Sequence, residues 1–113
     1  MVWQRATEMA VQCYAITKNY PKDEMFGLVS QTRQAAISVA ANIAEGHGRE
    51  NSGSFVQFLR IAQGSLKELE THLIIAQRVD ILAEEKILPL LRECEELGKM
   101  LRALIRSIQA KKT

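Results

Sequence analysis

Punctuation is scarce in this chain: two prolines and six glycines in 113 residues leave few places for the turns that many short strands require. A small number of long helices suits such a sequence better. Aromatic residues are few as well, at 5% of the total, so a surface of stacking platforms for unpaired bases is not expected. Cys13 and Cys94 are the only cysteines. Both fall on apolar faces of predicted helices and read as buried free thiols rather than a disulfide. No apolar run approaches the roughly 20 residues that a membrane span needs. No basic start followed by an apolar stretch opens the chain, so a soluble cytoplasmic protein is expected. Neither sign of charge dominates: 15 Lys and Arg against 13 Asp and Glu give +2, too little on its own to argue for nucleic acid.

What is present is helical periodicity. Trp3, Ala6, Ala10, Cys13 and Ile16 or Thr17 recur at three and four residues, predicting a first helix over about 2–19 that Tyr20-Pro21 ends. Asp23 is placed to cap or favour the start of a second helix over about 23–45, with Phe26, Val29, Thr32, Ala36, Val39 and Ile43 as its seam. Its many alanines thin it for close packing, and Gly46 is expected to stop it in a left-handed conformation. Asn51, Ser52 or Ser54 caps a third helix over about 54–78, whose seam is Phe55, Phe58 or Leu59, Ala62, Leu66, Leu69, Leu73 and Ala76. Gly64 and Ser65 inside it predict a tight crossing against the alanines of the second helix. The fourth helix, about 84–110, carries Ile87, Leu91, Cys94, Gly98, Leu101, Ile105 and Ile108, with Pro89 expected to kink its first turns or split off a short one. One domain, 1–113, follows from the length, and short connections give an all-α, antiparallel up-down-up-down four-helix bundle.

Chemistry-bearing residues gather between Ser38 and Arg49. Ser38, Asn42 and Glu45 stand at i, i+4 and i+7 on one helical stripe, and polar groups that close to a core need partners. The expected arrangement is a structural clasp: Asn42 and Glu45 reach across to Ser65 or Glu68, and Arg49 pairs with Glu45. His47 and His72 have no second ligand at helical spacing, so no metal is expected. No nucleophile elbow frames Ser38 or Ser65, so no catalytic residue, no cofactor and no enzyme activity are expected.

The cations are distributed unevenly. From 97 to 113 the chain carries Lys99, Arg102, Arg106, Lys111 and Lys112 and no acid, which partly suits the negative end of a helix dipole. Arg92, Lys99 and Arg106 recur every seven residues, predicting a basic band on one outer face, interrupted near its start by Glu95 and Glu96.

Several stretches together resemble a known family, the four-helix bundle proteins related to the 23S ribosomal RNA intervening sequence protein. They are Leu28-Val29-Ser30-Gln31-Thr32-Arg33, then Ser38 with Asn42-Ile43-Ala44-Glu45-Gly46 and Arg49, then Phe55, Phe58-Leu59 and Ser65-Leu66-Lys67-Glu68-Leu69-Glu70-Thr71. An aromatic first helix followed by Tyr20-Pro21 and Glu24 extends the likeness over nearly the whole chain. The chain departs at Thr32, where an aliphatic residue is common, and at Pro89. The resemblance implies a bundle that assembles into a ring, typically a homopentamer. The family is similar in turn to accessory proteins of diversity-generating retroelements, which engage a reverse transcriptase and nucleic acid.

The resulting expectation is a non-enzymatic homo-oligomer that binds or scaffolds nucleic acid, RNA ahead of DNA. Contacts would be electrostatic, through Arg92, Lys99, Arg102, Arg106, Lys111 and Lys112, with Arg33, Arg60 and Lys67 as secondary candidates. The alternative is an adaptor that recognises a protein partner and no nucleic acid.

Overall fold

The computed structural model describes residues 1–111. Four helices form an antiparallel bundle: α1 (Val2–Thr17), α2 (Ser30–His47), α3 (Ser52–Arg78) and α4 (Glu84–Lys111). Each helix packs on its neighbours in sequence, and α4 closes the ring of contacts on α1. The molecule measures 50 × 23 × 18 Å, its long dimension set by the two longest helices.

The core is contributed unequally. α1 and α2 bring small and medium residues, among them Ala6, Met9, Cys13, Ala36, Val39 and Ile43. α3 and α4 answer with Leu59, Leu66, Leu69, Leu73, Leu97 and Leu101, all within 2% of complete burial. The leucines of α3 and α4 thus share one core with the alanines of α1 and α2 and with the large Met9 side chain. In α4 the buried stripe is Ile87, Leu90, Cys94, Leu97, Leu101 and Ile105, one step round from the expected seam: Leu90 and Leu97 are buried where Leu91 and Gly98 were anticipated. α4 runs unbroken through Pro89, contrary to the expectation of a separate turn. Proline removes one hydrogen bond, to the carbonyl of Glu85, and both residues are exposed, so the loss falls on the solvent side of the helix rather than in the core.

The largest departure lies between α1 and α2. Instead of entering the second helix at Asp23, the chain makes a 3-10 turn, Lys22–Glu24, and a π turn, Met25–Val29. Gly27 takes φ −112° and ψ −109°, a non-helical backbone that its lack of a Cβ accommodates. The cap is Glu24 rather than Asp23, its carboxylate accepting from the Leu28 N–H at 3.3 Å. Phe26, expected to lead the α2 seam, is thereby turned out and is 93% exposed. Val29 is the first residue of this segment to reach the core.

Gly46 does not stop α2. It lies inside the helix, and no described glycine has a positive φ. Its role is close approach: a Cβ here would meet Phe58 Cβ at 2.9 Å and Phe55 Cδ1 at 3.0 Å. The tight crossing of α2 and α3 is therefore at Gly46, whereas a Cβ on Gly64 would meet nothing within 4 Å. The left-handed stop occurs instead after α3, at Asp80 with φ 64°. The Asp80 N–H bonds Gln77 O at 3.0 Å and the Ile81 N–H bonds Ala76 O at 2.9 Å, the paired bonds of a Schellman ending.

Candidate functional site

The polar stripe of α2 meets α3 as a short hydrogen-bonded chain. Ser38 and Ser65 hydroxyls lie 2.7 Å apart across the two helices. Asn42 Nδ2 donates to Ser38 O at 2.8 Å and to Ser38 Oγ at 3.0 Å. Asn42 therefore bonds within its own helix, and Ser38 alone carries the link to α3. The reason is reach: an amide at i+4 finds the i carbonyl of its own helix before it finds a neighbouring one. Glu45 is exposed and pairs with Arg49 at 2.7 Å, one turn on, instead of crossing to α3. Arg49 also lies over the Phe58 ring at 4.7 Å. Glu68 is exposed and, among the described residues, makes no hydrogen bond or ion pair, so it is not part of the clasp. This chain of two serines and an asparagine holds α2 on α3; its hydroxyls are occupied by one another.

The basic residues separate into four places. Arg92, Lys99, Arg106 and Lys111 are exposed along α4. Lys99 Nζ lies 3.7 Å from Glu95 and 3.8 Å from Glu96, loose contacts between exposed groups that water screens. Arg102 lines a groove of about 450 Å³ between α3 and α4, with Lys67 on the opposite wall. The same groove holds Glu70 and Glu95, and Lys67 pairs with Glu70 at 3.1 Å, so its charge is mixed. Arg60 is exposed on α3 outside that groove. Arg33 is set apart from the others: its Nε donates to Thr17 Oγ1 at 2.9 Å and its guanidinium stacks 4.4 Å over the Tyr14 ring, so α1 and α2 hold it between them. Lys112 lies outside the described residues.

One contact carries no signal in the sequence. Arg5 of α1 clamps Glu93 of α4 with bonds of 2.9 and 2.6 Å, which raises the Arg5 pKa through hydrogen bonding and charge, while Nη1 reaches Met100 Sδ at 3.4 Å. The partners are 88 positions apart, and nothing in either local pattern singles them out. Burial pushes the Cys13 thiol up to about 12 and the Cys94 thiol upward as well, so both are poor nucleophiles at neutral pH. Cys94 Sγ lies 3.7 Å from Met9 Sδ, and both cysteines are free. His47 sits edge-on to Phe55, ring centroids 6.0 Å apart, and His72 Nε2 is buried without a partner. Among the described residues no three His, Cys, Asp or Glu side chains gather where they could hold a metal ion. No described helix is long and apolar enough to cross a membrane.

No curated protein matches the chain. A crystal structure of a protein of unknown function from the S23 ribosomal protein family of Bacteroides thetaiotaomicron superposes with a TM-score of 0.84. The alignment covers 93% of this chain and 98% of that one at 24% identity, which establishes a shared fold. A family profile described as 23S rRNA-intervening sequence protein matches residues 1–103, nearly the whole bundle. On that match this chain belongs to the 23S rRNA-intervening sequence protein family.

Proposed function

We propose that the protein is a non-enzymatic, cytoplasmic, homo-oligomeric bundle, a ring of five in the manner its family resemblance implies, that binds structured RNA through the outer face of α4. The observation that carries this reading is the charge of that face. Beyond Glu96, α4 exposes Lys99, Arg102, Arg106 and Lys111 with no acidic residue among them. Weak phosphate contacts repeated on each copy of a ring add through multivalency.

Self-association is supported by a second contrast. No charged residue occurs from 9 to 17 in α1 or from 34 to 44 in α2, although Val11, Tyr14, Ile37, Ala41 and Ala44 of these stretches are exposed. Charge-poor, thin helical faces suit contact between copies and leave the charged α4 face free.

The test is a gel shift with a structured RNA at low and moderate salt, run beside light scattering to read the assembly. RNA should shift at low salt and release as salt rises, and Arg102→Gln with Arg106→Gln should weaken binding without changing the mass. Ile37→Glu should lower the mass. Absence of any shift at low salt removes the RNA reading and leaves the alternative, a ring that engages a protein partner.

A further inference from the structure

Arg33 is not explained by the basic face of α4. Of the described Lys and Arg residues only Arg5 and Arg33 are half-buried, and all others are exposed. Arg5 has the Glu93 carboxylate at 2.6 Å. Arg33 has no carboxylate: one N–H goes to the Thr17 hydroxyl and one ring face to Tyr14, and its two Nη groups have no protein acceptor among the described residues. A half-buried guanidinium held in a fixed orientation by these two contacts, with no carboxylate partner, keeps its Nη donors available to an anionic ligand.

Its surroundings extend the pattern. Arg33 lines a cleft of about 280 Å³ where α1 ends and the 3-10 and π turns begin. Lys18 and Lys22 line the same cleft, and no acidic residue does. Asp23 and Glu24 are close in sequence but stand outside it, and Glu24 is occupied by the Leu28 N–H. The negative end of the α1 dipole opposes an anion here, and three cations outweigh it. Met25, Val29 and Pro21 give the cleft an apolar part, and Thr17 and Tyr20 complete its lining.

We infer that this cleft binds a small phosphate monoester, the phosphate on the free Nη edge of Arg33 and the two lysines, and the apolar part against Met25 and Val29. The planar guanidinium matches phosphate oxygens in pairs, and the bonds to Thr17 and Tyr14 orient it before the ligand arrives. This site is separate from the RNA surface proposed for α4 and does not depend on it.

The experiment follows the Arg33 Nε–H resonance during titration with phenyl phosphate, inorganic phosphate and acetate at matched ionic strength. A saturating shift is expected with phenyl phosphate, weaker binding with inorganic phosphate and none with acetate. Arg33→Lys keeps the charge but loses the paired donors, and it should weaken phenyl phosphate binding about tenfold. The exposed pair Lys18→Gln with Lys22→Gln leaves the core untouched and should also weaken it severalfold, with an unchanged melting temperature in chloride, which keeps the test decisive if Arg33→Lys fails to fold. Three results overturn the inference: no saturable shift in the wild type, equal affinity in the lysine double variant, or a response to an RNA oligonucleotide and to neither phosphate probe.

Discussion

The two ends of the bundle are built on different principles. At the end where α2 passes into α3, backbone and aromatic rings meet directly: Gly46 lies against Phe55 and Phe58, His47 stands on the Phe55 edge, and Arg49 covers Phe58. At the opposite end, where α1 passes into α2 and α3 into α4, the backbone departs from helix at Gly27 and from right-handed φ at Asp80. Phe26 is left in solvent, and the half of the bundle on this side holds three buried polar atoms without partners, Tyr20 Oη, Thr32 Oγ1 and His72 Nε2. Polar atoms without partners cost stability, so the second end carries penalties that the first avoids. The charge-lined cleft around Arg33 is at that second end. Tight apolar packing and a polar recess make opposite demands, and the fold separates them along its length.

The largest effect expected from this contrast is alkaline. Burial raises Tyr20 from 10.0 to about 12, and Cys13 from 9.0 to about 12. Each group resists ionising in the folded state, so its contribution is full below the unfolded pKa and declines as pH rises from about 9 toward 12. By about pH 11 the loss from these two groups should be about 4 kcal/mol, read as a falling urea midpoint, and Tyr20→Phe should remove its share of the slope. Gly46→Ala should cost about 2 kcal/mol at neutral pH, because the new methyl meets Phe58 Cβ and the Phe55 backbone. A cost no larger than that of an ordinary helix substitution would show the first end to be less tightly packed than its distances imply.

Smaller effects test the polar groups. Ser38→Ala and Ser65→Ala should each cost about 1 kcal/mol in urea unfolding, and the double variant less than their sum, since Ser38→Ala strands the Ser65 hydroxyl and Ser65→Ala leaves Ser38 Oγ only its bond from Asn42. Thr32→Val should raise stability by about 1 kcal/mol, as it replaces a fully buried hydroxyl that has no partner with a methyl of similar size. A loss of stability there would mean that Thr32 Oγ1 is satisfied in solution and that the second end is less frustrated than it looks.

How much of this was legible beforehand varies with the range of the interaction. Four helices, their order and most of their buried positions follow from apolar spacing, because a helix repeats its face every 3.6 residues whatever surrounds it. Spacing places the start of α2 too early because Phe26 fits the seam, while the backbone of Gly27 takes it off that face. Gly46 reads as a stop, since a glycine near a helix end is usually one; only the position of Phe58 shows it as a contact. Asp80 takes the left-handed position without being glycine, so its residue type gave no sign. Within the polar stripe, helix phase turns Ser38, Asn42 and Glu45 toward α3, but the residue that bonds Ser65 is Ser38 rather than Asn42 or Glu45, because acceptors and donors on their own helix compete successfully for those two side chains.

Spacing and the unequal charge along the chain are enough to establish an all-α bundle and a basic end of α4, because these depend on neighbours within a few turns. The tertiary structure decided which glycine lets two helices touch, that Arg5 finds Glu93 while Arg33 finds no acid, and that Lys18, Lys22 and Arg33 face one cleft. Those outcomes depend on the angle and height at which helices meet, and that geometry is set by the packing of the whole core rather than by any local stretch.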